Sequence, residues 1–252
     1  MFALKGLLST ISKIALRSRY LQYRGSRVVY LVLKALGTLY KALFAFCNDV
    51  IVPTVWSTRF RLPKAQSFAE GRYITIMLGF VEPQWRDFFD KYIAKAMIFV
   101  DIGAASDAYY TIRACKLNPR IRVIAIEPIP TEYRYMLWNV HLNSCLRNVI
   151  SLNVALSSIE GDAVMLGNKV RATTLDNVVE ELHLPCVDVI KIDVEGMGAE
   201  VLKGALKTIT KCRPAIFFEV HNKEEILALR NLIEELKYRA VRSYGDMYLL
   251  IP

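Results

Sequence analysis

The sequence predicts an α/β fold: a doubly wound, mostly parallel sheet that ends in a C-terminal antiparallel hairpin and is preceded by an N-terminal helical appendage. Three runs predict it. Residues 98–104 read I-F-V-D-I-G-A, residues 121–128 read I-R-V-I-A-I-E-P, and residues 189–196 read V-I-K-I-D-V-E-G. Each is an apolar, β-like run closing on a carboxylate and then on glycine or proline. That order is expected where a buried parallel strand delivers acidic side chains to the carboxyl edge of a sheet. Ligands of open α/β sheets bind at that edge, so the chain reads as an enzyme that grips a nucleoside-like cofactor.

The 252 residues suffice for one such domain and an appendage. The composition divides them into a basic amphipathic segment, 1–60, and a catalytic domain, 61–252. Residues 1–64 hold 11 Lys or Arg and a single acid, Asp49, a net +10, so the remainder of this +9 chain is close to neutral. A near-neutral body lacks the basic stripe that a nucleic-acid-binding face needs, and nucleic acid is excluded as a partner. The five cysteines are odd in number and contain no C-x-x-C, which predicts neither a disulfide framework nor a zinc site and points to a reducing, cytoplasmic setting. The three histidines, His141, His183 and His221, are far apart in sequence, so no metal site is expected.

In the N-terminal segment Arg27, Lys34, Lys41 and Asn48 recur every seven residues and share a narrow helical stripe with Thr38, while apolar residues fill the rest. Such a helix wants an apolar partner. Residues 28–47 are long enough to span a bilayer, but Lys34 and Lys41 would each cost about 2.5 to 3.5 kcal/mol near its centre. Lying in the interface, as a peripheral membrane contact through residues 1–50, is therefore easier. Packing on the catalytic domain or on a second subunit is the alternative, and the basic, acid-poor start also has transit-peptide composition.

Helical pattern stops between Pro53 and Pro63, the candidate linker. Residues 72–78 alternate like a strand, and 84–96 read as an amphipathic helix. Strand and helix signals then alternate: a strand to Asp101, a helix over 108–117, a strand to Glu127, a helix over 130–143 with Pro130 in its first turn, and a strand over 149–155. A helix over 174–182, a strand to Asp193, a helix over 197–211, a strand over 215–220 and a helix over 223–236 follow, then two strands turning at Gly245 and Asp246.

A glycine two residues past a buried strand, Gly103 after Asp101, lets backbone approach a ligand closely, and the helix behind it offers free N–H groups. A plain strand-to-helix turn has the same signature. Glu127 closes the next strand at the spacing where an acid meets both ribose hydroxyls of a nucleoside; a salt-bridging surface glutamate is the alternative. A dinucleotide turn needs three glycines to admit a pyrophosphate, and only Gly103 is present. S-adenosylmethionine has no pyrophosphate and is favoured over NAD.

With these motifs the chain resembles the FkbM-type methyltransferases, which use S-adenosylmethionine on a Rossmann-like fold. The resemblance runs over about 99–221. It rests on V-D-I-G-A, I-E-P, N-x-x-L-N at 139–143, T-T-L-D at 173–176, I-K-I-D-V-E-G, V-L-K-G-A at 201–205 and R-P-A-I-F-F-E at 213–219. Two features depart from the family pattern. The turn Ala105-Ser106-Asp107-Ala108 replaces an Asn- and Gly-containing one, and Gly198 stands where the family often has an acid.

The resemblance implies that Asp101, Gly103 and Ala104 line the methionine end of the cofactor, that Glu127 holds the ribose, and that Asp193 and Glu195 project toward the transferred methyl. A hydroxyl acceptor needs a general base. Asp193, Glu195, Glu219 and His221 are the candidates, since all follow the ends of adjacent predicted strands. Asp193 and Glu195 have a structural alternative as caps of the following helix, and His221 has one as a helix N-terminal residue. Lys191 alternates inward with Asp193 and reads as a carboxylate partner; Thr173 or Thr174 reads as a helix cap. The expected activity is S-adenosylmethionine-dependent methyl transfer to a glycan, glycolipid or other small hydroxylated acceptor. The runner-up is a membrane-associated binding or scaffold protein that keeps the fold without turnover.

Overall fold

The computed structural model describes residues 49–54, 57–63, 76 and 81–252. The chain divides into two compact units, Met1–Arg86 and Asp87–Pro252. The amphipathic helix expected over 28–46 lies outside the described residues, and no described helix is long and apolar enough to cross a membrane.

In the first unit the expected linker is instead an antiparallel hairpin. Strand β1 (Asp49–Pro53) pairs with β2 (Arg59–Pro63), and Arg61 donates through Nε and Nη2 to Asp49 Oδ2 at 2.8 and 2.5 Å. The turn is held by Thr54 and Thr58, whose hydroxyls lie 2.6 Å apart. Of the strand expected over 72–78 only Ile76 is described, and it is helical. Helix α1 (Pro83–Ile93) begins in this unit and ends in the next.

The second unit follows the expected alternation: β3 (Ile98–Ile102), α2 (Tyr109–Leu117), β4 (Arg122–Ile126), α3 (Pro130–Leu142), β5 (Val149–Leu152), β6 (Ala155–Leu156), β7 (Gly161–Met165), β8 (Asn168–Thr173), α4 (Leu175–Glu181), β9 (Val189–Ile192), α5 (Gly198–Lys203), α6 (Leu206–Cys212), β10 (Ala215–Glu219), α7 (Lys223–Glu235), β11 (Arg239–Tyr244) and β12 (Met247–Ile251). Seven strands form the central sheet in the order β11-β12-β10-β9-β3-β4-β5; β10, β9, β3, β4 and β5 run parallel, and β12 and β11 add antiparallel. The inner strands are largely apolar because both faces are covered: every residue of β3 and β9 is buried, Asp101 and Lys191 included. The helices pack in pairs, α2 on α3, α4 on α6, and α5 on α7. Beneath β3, β9 and β10, Phe89 of α1 packs edge-on against Phe99, Tyr110 and Phe217.

Three features depart from expectation. Residues 155–173 hold a separate three-stranded sheet, β6-β8-β7, whose strand β7 is exposed or half-exposed throughout and so lacks a legible pattern. The single helix expected over 197–211 breaks into α5 and α6. At the break, a Cβ on Gly204 would lie 2.0 Å from the Ser157 carbonyl oxygen. Asp176 of α4 accepts the N–H groups of Lys207 and Thr208 at 3.1 and 2.8 Å, capping α6 from a different element. Finally, four of the five cysteines form two disulfides, Cys115–Cys145 and Cys186–Cys212, with Cα separations of 6.0 and 5.3 Å. Folding joins cysteines from different elements, which an odd count and the absence of C-x-x-C cannot register. Disulfides persist in oxidising compartments and inside hyperthermophilic cells, so the inference from cysteine usage to a reducing setting no longer holds.

Candidate active site

The strand order reverses between β3 and β9. From β3 the chain crosses over to β4 and β5 on one side, while β9 and β10 lie on the other, which opens a crevice beyond the carboxyl ends of the strands. Gly103 and Asp193, the residues that leave β3 and β9, face each other there. A Cβ on Gly103 would sit 1.9 Å from the Asp193 carbonyl oxygen, and Gly103 adopts φ +81°, so only glycine fits. The N–H groups of Gly103 and Ala104 both donate to Ile126 O at 3.0 Å, tying this turn to the end of β4.

Glu127 follows β4 directly and is buried. Its Oε2 accepts the Ala105 N–H at 3.0 Å and its Oε1 the Ile129 N–H at 2.9 Å. Burial pushes its carboxyl up to about 7, against the pull of those two bonds. The turn it clamps is strained, with Ala105 at φ 56° and Ala108 at φ 49°. A left-handed alanine costs roughly 1 to 2 kcal/mol, and local bonds offset this. Asn139, fully buried, donates to Ser106 O at 2.8 Å, and Asp107 Oδ1 accepts the Tyr109 N–H at 3.1 Å. Asn143 donates to Asn139 O at 2.9 Å, so the N-x-x-L-N element acts as the brace of this turn.

Asp101 is 1% exposed on β3, beside Lys191 of β9 in the parallel ladder. Thr111 Oγ1 donates to its Oδ2 at 2.6 Å, while Oδ1 has no hydrogen-bond partner among the described residues. Burial raises its pKa, against the opposing pull of the Lys191 ammonium and the Thr111 hydroxyl. Lys191 is 3% exposed, and its Nζ donates to Asp193 Oδ2 at 2.8 Å and lies 5.0 Å from the centre of the Tyr110 ring. The carboxylate partner expected for it is thus Asp193. Burial opposes the charge on Asp193, but the Lys191 ammonium, a hydrogen bond with Glu219 and nearby His221 outweigh it and hold Asp193 below the ordinary carboxylate range.

Asp193, Glu219 and His221 converge, with one potential ligand atom from each lying within 4.8 Å of the others. His221 Nε2 is 3.8 Å from Asp193 Oδ1, and Nδ1 is 3.8 Å from Glu225 Oε2. Glu195 stays outside this group, in the exposed turn before α5. The helix-capping alternative fails for both Asp193 and Glu195: α5 has Met197 at its N-cap and no side-chain cap. Its Gly198 N–H is taken by Glu225 Oε1 at 2.7 Å. His221 does precede a helix as well as joining the cluster, since Asn222 caps α7 in a reciprocal box with Glu225. Thr174 caps α4 by accepting the Asn177 N–H at 3.0 Å, which makes T-T-L-D structural.

Glu225 went unrecognised in the sequence. It is completely buried, and Oε2 accepts the His221 and Asn222 N–H groups at 2.5 and 3.3 Å while Oε1 takes Gly198. A Cβ at Gly198 would lie 2.8 Å from Glu225 Oε1 and 2.5 Å from the Phe218 ring, which explains the glycine where the family often has an acid. The N-x-x-E spacing at 222–225, ahead of an apolar run, was the available signal.

The model of the FkbM methyltransferase domain matches residues 101–240, more than half of the chain. The chain belongs to the FkbM methyltransferase family. The matched span holds Asp101, Glu127, Asp193, Glu219 and His221 together. Among solved structures, the methyltransferase FkbM from Methylobacillus flagellatus KT aligns with a TM-score of 0.51 and 16% identity, over 73% of this FkbM chain and 55% of that one. This chain therefore spans about half the length of that relative. The METTL16 methyltransferase domain aligns with a TM-score of 0.55 and 14% identity, over 93% and 94% of the two chains. Likeness at these identities is likeness of fold. No curated protein sequence matches this family member.

Proposed function

We propose that the protein transfers the methyl group of S-adenosylmethionine to a hydroxyl oxygen of a small hydroxylated acceptor, such as a glycan or glycolipid. One observation carries this reading: at the sheet reversal, a turn suited to a cofactor lies beside a cluster of side chains able to accept a proton. Asp101, Gly103, Ala104 and Glu127 line the first; Asp193, Glu219 and His221 make the second. The residues fit the cofactor. Gly103 at φ +81° lets the turn pack on the Asp193 carbonyl, the unmet Asp101 Oδ1 can accept from a bound ammonium, and each Glu127 oxygen keeps a lone pair for a ribose hydroxyl.

When bound, S-adenosylmethionine supplies a methyl carbon on a positively charged sulfur. The acceptor oxygen bonds to that carbon, the carbon–sulfur bond breaks with its electron pair returning to sulfur, and the hydroxyl proton passes to the protein. Lys191 keeps Asp193 ionised and fixes its Oδ2, so Oδ1 and the neighbouring His221 imidazole are the groups on hand for that proton. Most of the acceleration comes from holding donor and acceptor in line.

The test is formation of S-adenosylhomocysteine by the full-length protein with S-adenosylmethionine and a panel of sugars and glycolipids. Acceptor-dependent product that falls about 100-fold or more in Asp193→Asn is expected. Tight cofactor binding with no transfer to any hydroxyl acceptor would contradict the reading and favour a binding protein without turnover.

A further inference from the structure

We propose that Asp193, Glu219 and His221 form a site for a divalent cation of the Mn2+ and Mg2+ class, which chelates two adjacent oxygens of the acceptor. The ion's binding stands on geometry alone, while its role in presenting the acceptor rests on the methyl-transfer reading.

The three side chains come from neighbouring parallel strands. Ile192 of β9 is in register with Phe218 of β10, so Asp193 and Glu219 occupy the next rung, and His221 lies two residues beyond. Their ligand atoms all fall within 4.8 Å of one another. Two donors each about 2.1 Å from one ion lie at most about 4.2 Å apart, so the widest pair has to close by roughly half an ångström. The pair His221 Nε2 and Asp193 Oδ1, at 3.8 Å, is too long for a hydrogen bond and already within that span. Lys191 Nζ donates to Oδ2 of Asp193, and Oδ1 is the oxygen that faces His221.

Two further features bear on the site. The Lys191 ammonium on Asp193 Oδ2 balances one of the two neighbouring carboxylates, Asp193 and Glu219, and leaves one negative charge for a cation to meet. Behind His221, the fully buried Glu225 places a carboxylate oxygen 3.8 Å from Nδ1, on the side away from the cluster. That oxygen is beyond hydrogen-bond distance of the ring and already accepts the His221 and Asn222 N–H groups, while Nε2 is the ring nitrogen nearer Asp193. Two carboxylates and one imidazole, with no thiolate, suit Mn2+ or Mg2+ better than a soft metal. The ligands come from strands 26 residues apart, from Asp193 to Glu219, and for that reason form no sequence pattern of the metal-binding kind.

Three protein ligands leave about three positions of an octahedral ion open. Two oxygens on adjacent carbons, as in a vicinal diol or an α-hydroxy acid, fill two of them in a five-membered chelate. A metal-bound hydroxyl is more acidic than a free one, so the same ion both orients the acceptor and eases loss of its proton, which passes to solvent water while Asp193 Oδ1 and His221 Nε2 are held on the ion.

The experiment uses the full-length protein freed of metal by EDTA and titrated with Mn2+, followed by electron paramagnetic resonance and calorimetry. One ion per chain is expected, bound at least tenfold more weakly in Glu219→Gln and in His221→Gln, with Asp162→Asn on the exposed β7 strand unchanged. Near-ultraviolet circular dichroism confirms that each variant is folded. Failure of Mn2+ to bind, or binding that both variants leave intact, overturns the site. Turnover that persists in EDTA overturns the role of the ion while leaving the methyl-transfer reading in place. Saturable Mn2+ binding at these residues, with no methylation of any diol, keeps the site and overturns that reading instead.

Discussion

Glu127 makes the proposed cofactor cradle pH-dependent. Its carboxyl is pushed up to about 7 from the 4.5 of an unfolded chain, so between those values the folded protein keeps a proton that the unfolded chain has lost. Stability from this group is therefore fully present below pH 4.5 and is lost as pH rises through about 7. At about 1.4 kcal/mol per pH unit, the gap amounts to on the order of 3 kcal/mol. Glu127→Gln removes the titration while giving up one of the two backbone N–H bonds, since its amide nitrogen cannot accept from both Ala105 and Ile129. Urea unfolding of both proteins at pH 5 and pH 8 isolates the effect. The variant should gain on the parent by on the order of 3 kcal/mol between the two conditions. If ribose hydroxyls donate to the ionised carboxylate, S-adenosylhomocysteine affinity of the parent should also weaken below pH 7, by up to about tenfold per pH unit, and the variant should not show this dependence. A stability difference that is the same at pH 5 and pH 8 would refute the reasoning.

Other perturbations test the frame around the site. Gly103→Ala forces a side chain toward the Asp193 carbonyl at positive φ; it should cost at least about 2 kcal/mol in urea unfolding and weaken cofactor binding, whereas a change near zero would mean the turn is open. Glu225→Ala leaves three N–H groups without their acceptor, and a loss of roughly 3 kcal/mol is expected, read as a drop in the urea midpoint. The disulfides close loops of 30 and 26 residues, so Cys145→Ser or Cys212→Ser should each remove about 3 kcal/mol. Mass spectrometry after alkylation without reduction should find Cys115, Cys145, Cys186 and Cys212 unmodified; alkylation at all four would show that the bridges do not form.

The inner strands were legible in the sequence because burial on both faces turns β3, β4, β9 and β10 into largely apolar runs with an acid near or just beyond their ends. That placement also made Asp101, Glu127, Asp193 and Glu219 visible as candidates. What the sequence did not carry depends on contacts between distant segments. The break between α5 and α6 is stabilised by Asp176, and the cover over Gly198 is Glu225; neither leaves a periodic trace. The sheet β6-β8-β7 rests on short, largely exposed strands, where alternation has nothing buried to report. Pairing of Cys115 with Cys145 and of Cys186 with Cys212 is likewise a property of the fold. His221 carried two readings, helix entry and base; the structure puts it just ahead of the Asn222 cap of α7 and 3.8 Å from Asp193, and the base role is a proposal.

The central claim is that the crevice between β3 and β9 holds S-adenosylmethionine. Calorimetric titration of the full-length protein with S-adenosylhomocysteine and, separately, with NAD tests it most directly, using Glu127→Ala as the comparison. The account predicts one saturable site for S-adenosylhomocysteine, weakened in the variant by roughly 1.5 to 3 kcal/mol as a charge-assisted hydrogen bond is lost, and no measurable heat with NAD. Tight NAD binding, or S-adenosylhomocysteine binding that the variant leaves unchanged, would contradict it.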